Sequence, residues 1–256
     1  MKKFFTRTIY LLLIIGVGVF AYTQYQNWQG RIDLAEQQAS PQGQLPQWLT
    51  PKHYHLELRV NPDEERFSGQ VKIQVALSQA SQELWLHGQD LSASKAEFIG
   101  ADGNVVALDY HEMGHSGVVR LSAAQPIAAQ QGSININFTG NMAKDLTGLY
   151  LVKEGDENYA FTQFESIFAR FAFPSFDEPR FKTPFDITLE VKNQHKGLAN
   201  TPQIQHQQLD DGFQRLTFQT TKPLPTYLVA IAVGDLDVVE YAAIPKSAVR
   251  DREIPL

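Results

Sequence analysis

Gln163 and Glu165 are the two side chains whose type and spacing best suit chemistry on a ligand. They lie within residues 159–191, where aromatic, acidic and proline residues crowd together without a simple period. Residues 161–165 read as a short strand, and because side chains alternate along a strand, the two polar groups share one face. Phe164 then points to the opposite side. This face is a candidate binding site, and an exposed polar strand surface is the alternative.

A second motif with chemical potential is the sequence HEMGH at residues 111–115. In such a motif two histidines one helical turn apart bind zinc, and the glutamate activates water. That arrangement requires a helix, whereas this motif lies between the strand-like segments 105–108 and 118–121, with Gly114 inside it and Gly117 just after it. The sequence favours a hairpin turn, and a small self-contained zinc protease is the weaker alternative.

The remaining candidate ligands show no spacing typical of a metal site. They read as surface or strand histidines: His53, His55, His87, His195 and His206. Asp177 and Glu178 precede a proline and read as turn or salt-bridge residues. We therefore predict that the chain itself binds no metal.

The aromatic and acidic stretch has a characteristic order of residues: Thr162-Gln163-x-Glu165, Ala169-Arg170, Phe173-Pro174-x-Phe176-Asp177-Glu178-Pro179 and Lys182. This order resembles the signature of the aminopeptidase N type of zinc metallopeptidases, within their N-terminal β-domain. The resemblance extends more loosely over residues 54–239, including 225–230. Phe168 and Phe171 depart from it, since they stand where the family has an aspartate and a second arginine. Ser175 stands where a cysteine is frequent.

The resemblance implies specific roles. Glu165 would bind the free α-amino group of a peptide, and Gln163 would line the pocket for the first side chain. A carboxylate in a partly dry cleft can pair with an ammonium group and so admit only peptides with a free N-terminus. The implied parent is a zinc aminopeptidase that removes N-terminal residues from peptides. A non-catalytic, membrane-tethered β-sandwich used for binding is the alternative.

The resemblance also implies that zinc belongs to a catalytic domain outside this chain. The Gly-x-Met-Glu-Asn segment and the zinc helix of the family are both missing from the sequence. The chain alone is therefore predicted to be inactive, because it offers neither a zinc site nor an activated nucleophile.

Composition places the chain among ordinary globular proteins. Its 256 residues suit one or two domains, and 43% apolar with 20% charged residues can bury a core. Three of the 22 basic residues precede residue 30, which leaves 19 basic against 28 acidic residues, a net charge of −9, beyond it. An acidic body without a basic cluster repels phosphate, so nucleic-acid binding is not expected. With no cysteine, thiolate metal sites and disulfides are excluded.

The first 30 residues contain a candidate membrane segment. Residues 8–30 carry no charge, and as a helix they would be about 34 Å long, enough to span a bilayer. The basic residues before them predict a cytoplasmic N-terminus. An uncleaved signal anchor is favoured because Tyr22, Tyr25 and Trp28 fit an interfacial aromatic belt. A cleaved signal peptide, with its site near residues 19–21, is the alternative. We expect a single-pass protein of the bacterial inner membrane, its domain on the periplasmic or extracellular side.

Alternating apolar and polar residues predict a mainly β fold. Residues 54–60 and 67–77 alternate clearly and are joined by a turn at 61–63. Nine further candidate strands follow, at 83–86, 95–99, 105–108, 118–121, 133–139, 159–163, 185–191, 213–220 and 227–233. Their spacing and Gly-rich turns predict antiparallel sheets packed as a sandwich, which in the resembled family is saddle-like.

These patterns divide the chain into four parts. Residues 1–30 are the signal anchor, and residues 31–50, rich in Gln, Pro, Ala and Ser, read as a linker. Residues 51–240 form the β-domain. Residues 241–256 read as the start of a connection to the expected catalytic domain, which is the basis for predicting a truncated chain.

Overall fold

The computed structural model describes residues 18–19, 22–26, 39–239 and 242–254, and in these the protein is mainly β, as predicted. The strands are β1 (Leu49–Arg59), β2 (Arg66–Leu77), β3 (Ser81–His87), β4 (Leu91–Gly100), β5 (Val105–Glu112), β6 (Val118–Ile127), β7 (Gln131–Asn141), β8 (Gly148–Glu154), β9 (Glu157–Gln163), β10 (Phe185–Lys192), β11 (Lys196–Ala199), β12 (Gln203–Gln208), β13 (Phe213–Phe218) and β14 (Ile231–Gly234). Short 3-10 turns lie at Gly114–Ser116, Ala169–Phe171 and Thr226–Leu228.

The strands form two sheets. The large sheet has the order β12-β13-β10-β1-β2-β7-β4-β5-β6-β3, and the small sheet has the order β11-β14-β9-β8. Most neighbours are antiparallel, as predicted, but β1 and β10 pair in parallel, with His55 opposite Asp186. The expectation of antiparallel sheets was wrong at this pair because a long connection, unlike a hairpin, does not fix the relative direction of two strands.

Strand alternation places the core where the sequence predicts it. In β1, Leu56 and Leu58 are buried while Glu57 is only half-buried. On β2 and β7, apolar side chains such as Ile73 and Ile134 face the same core and are opposite each other in the sheet. Burying rows of branched and aromatic side chains on one face supplies the main driving force for folding, about 25 cal/mol for each Å² of apolar surface removed from water.

Aromatic side chains pack the loop of residues 164–184 against the large sheet. The rings of Tyr54 on β1 and Phe185 on β10 stack with centroids 4.4 Å apart and an interplanar angle of 10°. Between β9 and β10, residues 164–184 pass over this region and bury Phe164, Phe173 and Phe176 in the same core. The candidate site therefore lies where β9 of the small sheet ends and the loop 164–184 begins. This loop packs on the large sheet through its buried phenylalanines.

The N-terminal part of the chain is described only in short stretches before residue 39. The predicted signal anchor over residues 8–30 lies largely outside the described residues, and the predicted linker over 31–50 is described from residue 39 onward. In the described part, no helix combines the length and apolar character needed to cross a bilayer. Leu45 and Leu49 are buried, so the chain already packs on the domain before residue 51.

Candidate functional site

Gln163 and Glu165 lie together at the exposed end of β9. The strand ends at Gln163, so the prediction that it continues to Glu165 was wrong, yet the alternation holds, with Phe164 buried between two exposed residues. The backbone N–H of Glu165 donates to the amide oxygen of Gln163 at 3.0 Å. The peptide bond after Glu165 is cis. The structure therefore brings the two predicted site residues together, with one fixing the backbone of the other.

The loop that follows is held by a buried ion pair. Arg170 Nε donates to Asp177 Oδ2 at 3.0 Å, and Thr226 donates its hydroxyl to the other carboxylate oxygen at 2.6 Å. Gly117 makes room for the guanidinium, because a Cβ there would lie 2.8 Å from Arg170 Nη1 and its backbone has a positive φ of 70°. The salt-bridge interpretation of Asp177 is thus confirmed, and the charge is satisfied by several donors inside the protein.

His87 is a buried partner of this network that the sequence did not single out. Its Nδ1 accepts the backbone N–H of Asp177 at 3.1 Å, and its own backbone exchanges hydrogen bonds with Ser175 at 2.7 and 2.9 Å. Burial, together with the positive charges of Arg170 and Arg180, lowers its pKa to about 3. His87 is therefore neutral at ordinary pH and acts as an acceptor. A lone histidine on a strand gives no sequence signal for that role.

Tyr54 supports the same loop from the large sheet. Its buried hydroxyl accepts the backbone N–H of Phe176 at 2.9 Å. Burial raises the pKa of this hydroxyl, so Tyr54 stays protonated. The backbone of the turn from Phe176 to Asp177 is consequently held by one side chain from β1 and one from β3, both distant in sequence.

Glu178 ties the chain preceding β1 to the loop. One carboxylate oxygen accepts the N–H of Leu45 at 2.6 Å, and the other pairs with Arg180, whose Nη2 donates back to the Leu45 carbonyl at 2.7 Å. The turn and salt-bridge roles predicted for Glu178 are confirmed. Because Leu45 and Glu178 are both buried, the hydrogen bond between them is shielded from solvent, whereas Arg180 is exposed.

A cavity of about 630 Å³ opens beside this turn. The residues around it include His87, His115, Ile167, Arg170, Glu178 and Arg180. Gln163 and Glu165 are not among the residues that line it. The described residues thus place a charged concavity next to the loop, separate from the exposed pair at the end of β9.

The two positions where the loop departs from the resembled signature are filled by aromatic rings. Phe168 and Phe171 pack with centroids 6.1 Å apart. Ser175 is fully buried, and its hydroxyl has no hydrogen-bond partner in the described part of the chain. The loop therefore carries an aromatic pair at these two positions and an ion pair at Arg170.

The HEMGH motif does not form a zinc-binding helix. His111 and Glu112 end β5, and His115 lies in the 3-10 turn that leads to β6, as the hairpin interpretation predicts. Glu112 accepts the backbone N–H of Asp90 at 3.1 and 3.2 Å, so its carboxylate is used in the turn. Burial raises the pKa of that carboxyl group. These residues do not fit the helical zinc site of a metallopeptidase, and no catalytic step can be assigned to them.

Residues 50–228 match the peptidase M1 N-terminal domain. The chain belongs to this family. The match confirms the resemblance seen in the order of residues 162–182, and it runs from β1 to the 3-10 turn Thr226–Leu228, just before β14.

The relatives of this M1 domain are aminopeptidases. The puromycin-sensitive aminopeptidase of Caenorhabditis elegans is 32% identical over 215 residues, which are 81% of this chain and 22% of the relative. The glutamyl aminopeptidase of Mus musculus is 31% identical over 209 residues, 77% of this chain and 22% of the relative. The endoplasmic reticulum aminopeptidase 1 of Homo sapiens is 31% identical over 215 residues, 80% and 23%. The chain thus spans less than a quarter of the length of these relatives.

Proposed function

We propose that this chain is the amine-binding, N-terminal portion of a zinc aminopeptidase that removes N-terminal residues from peptides. The observation that carries the proposal is the pair formed by Glu165 and Gln163 at the exposed end of β9, in a domain whose relatives are aminopeptidases. In the proposed enzyme this domain is a saddle-like sandwich, and it forms one wall of a shared active site.

Glu165 binds the substrate ammonium in this proposal. Its carboxylate is exposed and can accept the N–H groups of a protonated amine, and charge-assisted hydrogen bonds of this kind are about twice as strong as neutral ones. Gln163 uses its amide oxygen to hold the Glu165 backbone, which fixes the position of the carboxylate. The same side chain forms part of the pocket for the first residue of the peptide.

Zinc is held, in this proposal, by a catalytic portion outside this chain. When bound, the metal supplies an activated water for hydrolysis of a peptide bond. The residues of this chain position the substrate. Because Glu165 holds the α-amino group, only the first peptide bond comes within reach of the catalytic portion, and peptides with a blocked N-terminus are excluded.

We also propose that residues 8–30 anchor the protein in the bacterial inner membrane. The support is the uncharged stretch that follows Lys2, Lys3 and Arg7, with aromatic residues at its end. A periplasm-active reporter fused after residue 256 should be active and remain with the membranes. A soluble product whose N-terminus begins near residue 22 would instead identify a cleaved signal peptide.

The function is tested by comparing the full chain alone with the full chain joined to the catalytic portion of an M1 aminopeptidase. The chain alone should not hydrolyse leucine p-nitroanilide, and the joined enzyme should. Glu165→Ala should raise KM and lower kcat/KM by roughly 10- to 150-fold, the effect of losing one charge-assisted contact. Glu157→Ala, which removes an exposed carboxylate at the other end of β9, is the matched control and should change little.

Two results would contradict the proposal. A joined enzyme that is folded and inactive would favour the non-catalytic binding module. An active enzyme in which Glu165→Ala behaves like Glu157→Ala would show that the amine is held elsewhere.

A further inference from the structure

Three side chains with metal-binding atoms meet on the half-buried face of β1 and β10. They are His53 and His55 from β1 and Asp186 from β10, and one ligand atom from each lies within 4.8 Å of the others. We propose that these residues bind a divalent transition-metal ion, and that the preferred ion is zinc. The proposal revises the expectation that the chain binds no metal, and it is independent of the zinc of the proposed catalytic portion.

The strand geometry explains why the three residues converge. His53 and His55 are two residues apart, so they share one face of β1, while Tyr54 between them is buried on the other. The parallel register places His55 directly opposite Asp186. On the inner face, the stacked rings of Tyr54 and Phe185 hold the two strands in this register. The ligands are thus presented by two paired strands rather than by a loop.

The distances are close to those of a metal centre. Asp186 Oδ2 lies 3.0 Å from His53 Nε2 and 2.8 Å from His55 Nδ1. Both rings therefore contact the same carboxylate oxygen, and they stack with centroids 4.7 Å apart. In a tetrahedral zinc site with bonds of about 2.0 Å, neighbouring ligand atoms are roughly 3.3 Å apart. The carboxylate oxygen and the two nitrogens would therefore need to move apart by only about 0.3 to 0.5 Å to hold the ion.

His53 carries an unsatisfied atom that points to a ligand. Its Nε2 is buried and has no hydrogen-bond partner in the described part of the chain, although the carboxylate oxygen is only 3.0 Å away. A buried polar atom without a partner costs free energy. Coordination of a metal by the lone pair of this nitrogen would remove that cost.

The groups around the cluster orient it as the outer shell of a metal site does. Thr220 donates its hydroxyl to Asp186 Oδ1 at 2.6 Å, which leaves Oδ2 for the two histidines. The Gln74 side-chain amide lies 3.1 Å from His55 Nε2. In this contact the Gln74 amide nitrogen faces the ring, and if Nδ1 of His55 binds the ion, Nε2 carries the hydrogen, so the amide turns over and its oxygen accepts. Partners of this kind fix the tautomer and the ring orientation of metal-binding histidines.

The ligand set selects the class of ion. Two imidazole nitrogens and one carboxylate suit zinc and copper(II), whereas calcium and magnesium prefer oxygen ligands throughout. Three protein ligands leave a fourth position for water or a second ligand.

One neighbouring charge opposes binding. Lys72 on β2 lies opposite His55, and its positive charge weakens the binding of a cation.

Direct metal binding tests the proposal. The purified full chain is stripped with a chelator, loaded with zinc chloride and desalted, and zinc is measured per chain and by competition with a chromophoric chelator. We expect one zinc ion per chain. Asp186→Asn, which keeps the size of the side chain and an acceptor for Thr220, should weaken binding at least 10- to 100-fold, the range for losing even an outer-shell partner.

Two further variants sharpen the assignment. His111→Ala removes a histidine from the HEMGH motif and should leave the zinc affinity unchanged, whereas Lys72→Gln should increase it. Zinc should raise the thermal unfolding temperature of the wild type and of His111→Ala but not that of Asp186→Asn.

A measurement on the wild type alone covers the case in which Asp186→Asn does not fold. Zinc should protect His53 and His55 from modification by diethyl pyrocarbonate, as mapped by mass spectrometry, and leave His111 and His115 as reactive as before. Any of three results would overturn the proposal. The chain could bind less than one zinc ion in excess zinc, or zinc binding could be lost in His111→Ala and kept in Asp186→Asn. The third is equal modification of His53 and His55 with and without zinc.

Discussion

Arg170 Nε lies 3.0 Å from Oδ2 of Asp177, seven residues further along the chain, and both side chains are buried. This pair closes the loop that follows the Glu165 and Gln163 pair. Removing one member of a buried ion pair leaves an uncompensated charge, which costs more than the pair contributes. The contact is therefore a requirement for the shape of the loop.

We expect Arg170→Met to lower the free energy of unfolding by about 3 to 5 kcal/mol, because the Asp177 carboxylate is then buried without its cation. Urea denaturation measures the change. The matched control is Lys144→Met, which breaks an exposed pair with Glu65 at the same 3.0 Å separation and should cost roughly 0 to 1 kcal/mol. The double variant Arg170→Met/Asp177→Asn should cost less than the sum of its single variants. Equal effects at the buried and exposed pairs would contradict this view.

Glu178→Ala should destabilise the attachment of residues 39–48. The variant leaves the buried N–H of Leu45 without its acceptor, a loss of about 1 to 3 kcal/mol. Glu178→Gln keeps an acceptor oxygen and should cost less. Limited proteolysis should cut this segment faster in Glu178→Ala than in the wild type. If Glu178→Ala abolished the activity of the joined enzyme without any change in stability, its role would be catalytic instead.

Stability should fall as the pH is lowered from about 6.5 towards 3 because of His87. The folded protein holds the pKa of His87 at about 3, while the unfolded chain has a value near 6.5. The unfolded state therefore binds more protons in this window, and the contribution that is complete above pH 6.5 decreases by up to about 1.4 kcal/mol per pH unit.

His87→Asn isolates this effect. The Asn side chain can still accept the Asp177 N–H but cannot be protonated, so the variant should lose less stability than the wild type between pH 7 and pH 5. Urea denaturation at both pH values gives the difference, in which the other histidines cancel. The same pH dependence in both proteins would show that His87 is protonated without cost.

The amine preference of Glu165 can be measured on the full chain without any catalytic portion. Leucinamide should shift the NMR signals of Gln163 and Glu165 more than N-acetyl-leucinamide does, because only the former carries an ammonium group. Glu165→Gln should remove the preference, and Glu157→Gln should keep it. Equal shifts by both ligands in the wild type would place the amine site elsewhere.

Strand alternation accounts for most of the fold that the sequence predicts. Residues 54–60 and 67–77 correspond to β1 and β2, since one face of each strand is buried and the other is polar. β12 was missed because all six of its residues are exposed, so an edge strand of this kind has no apolar face to reveal it. β8 and β11 were also absent from the predicted strands. Residues 227–233 were predicted as one strand, but the 3-10 turn Thr226–Leu228 precedes β14.

The candidate site was predicted by the order of residues rather than by periodicity. Gln163 and Glu165 follow from the resemblance, whereas His87, Tyr54 and Thr226 could not be found, because their contacts with the loop span 49 to 122 residues of sequence. The cluster at Asp186 was missed for the same reason. The His-x-His spacing on a predicted strand was the available signal, and its third member lies on a strand far along the chain.

The parallel partner of β1 is among the last parts of the large sheet to be synthesised. Until residues 185–192 have left the ribosome, β1 is an edge strand with a row of unpaired backbone groups. Pairings between distant segments form slowly, and an open edge meanwhile invites association with other chains. A nascent chain halted before residue 185 would contain the whole motif from Thr162 to Lys182 and yet lack Phe185, against which Phe173 of this loop packs.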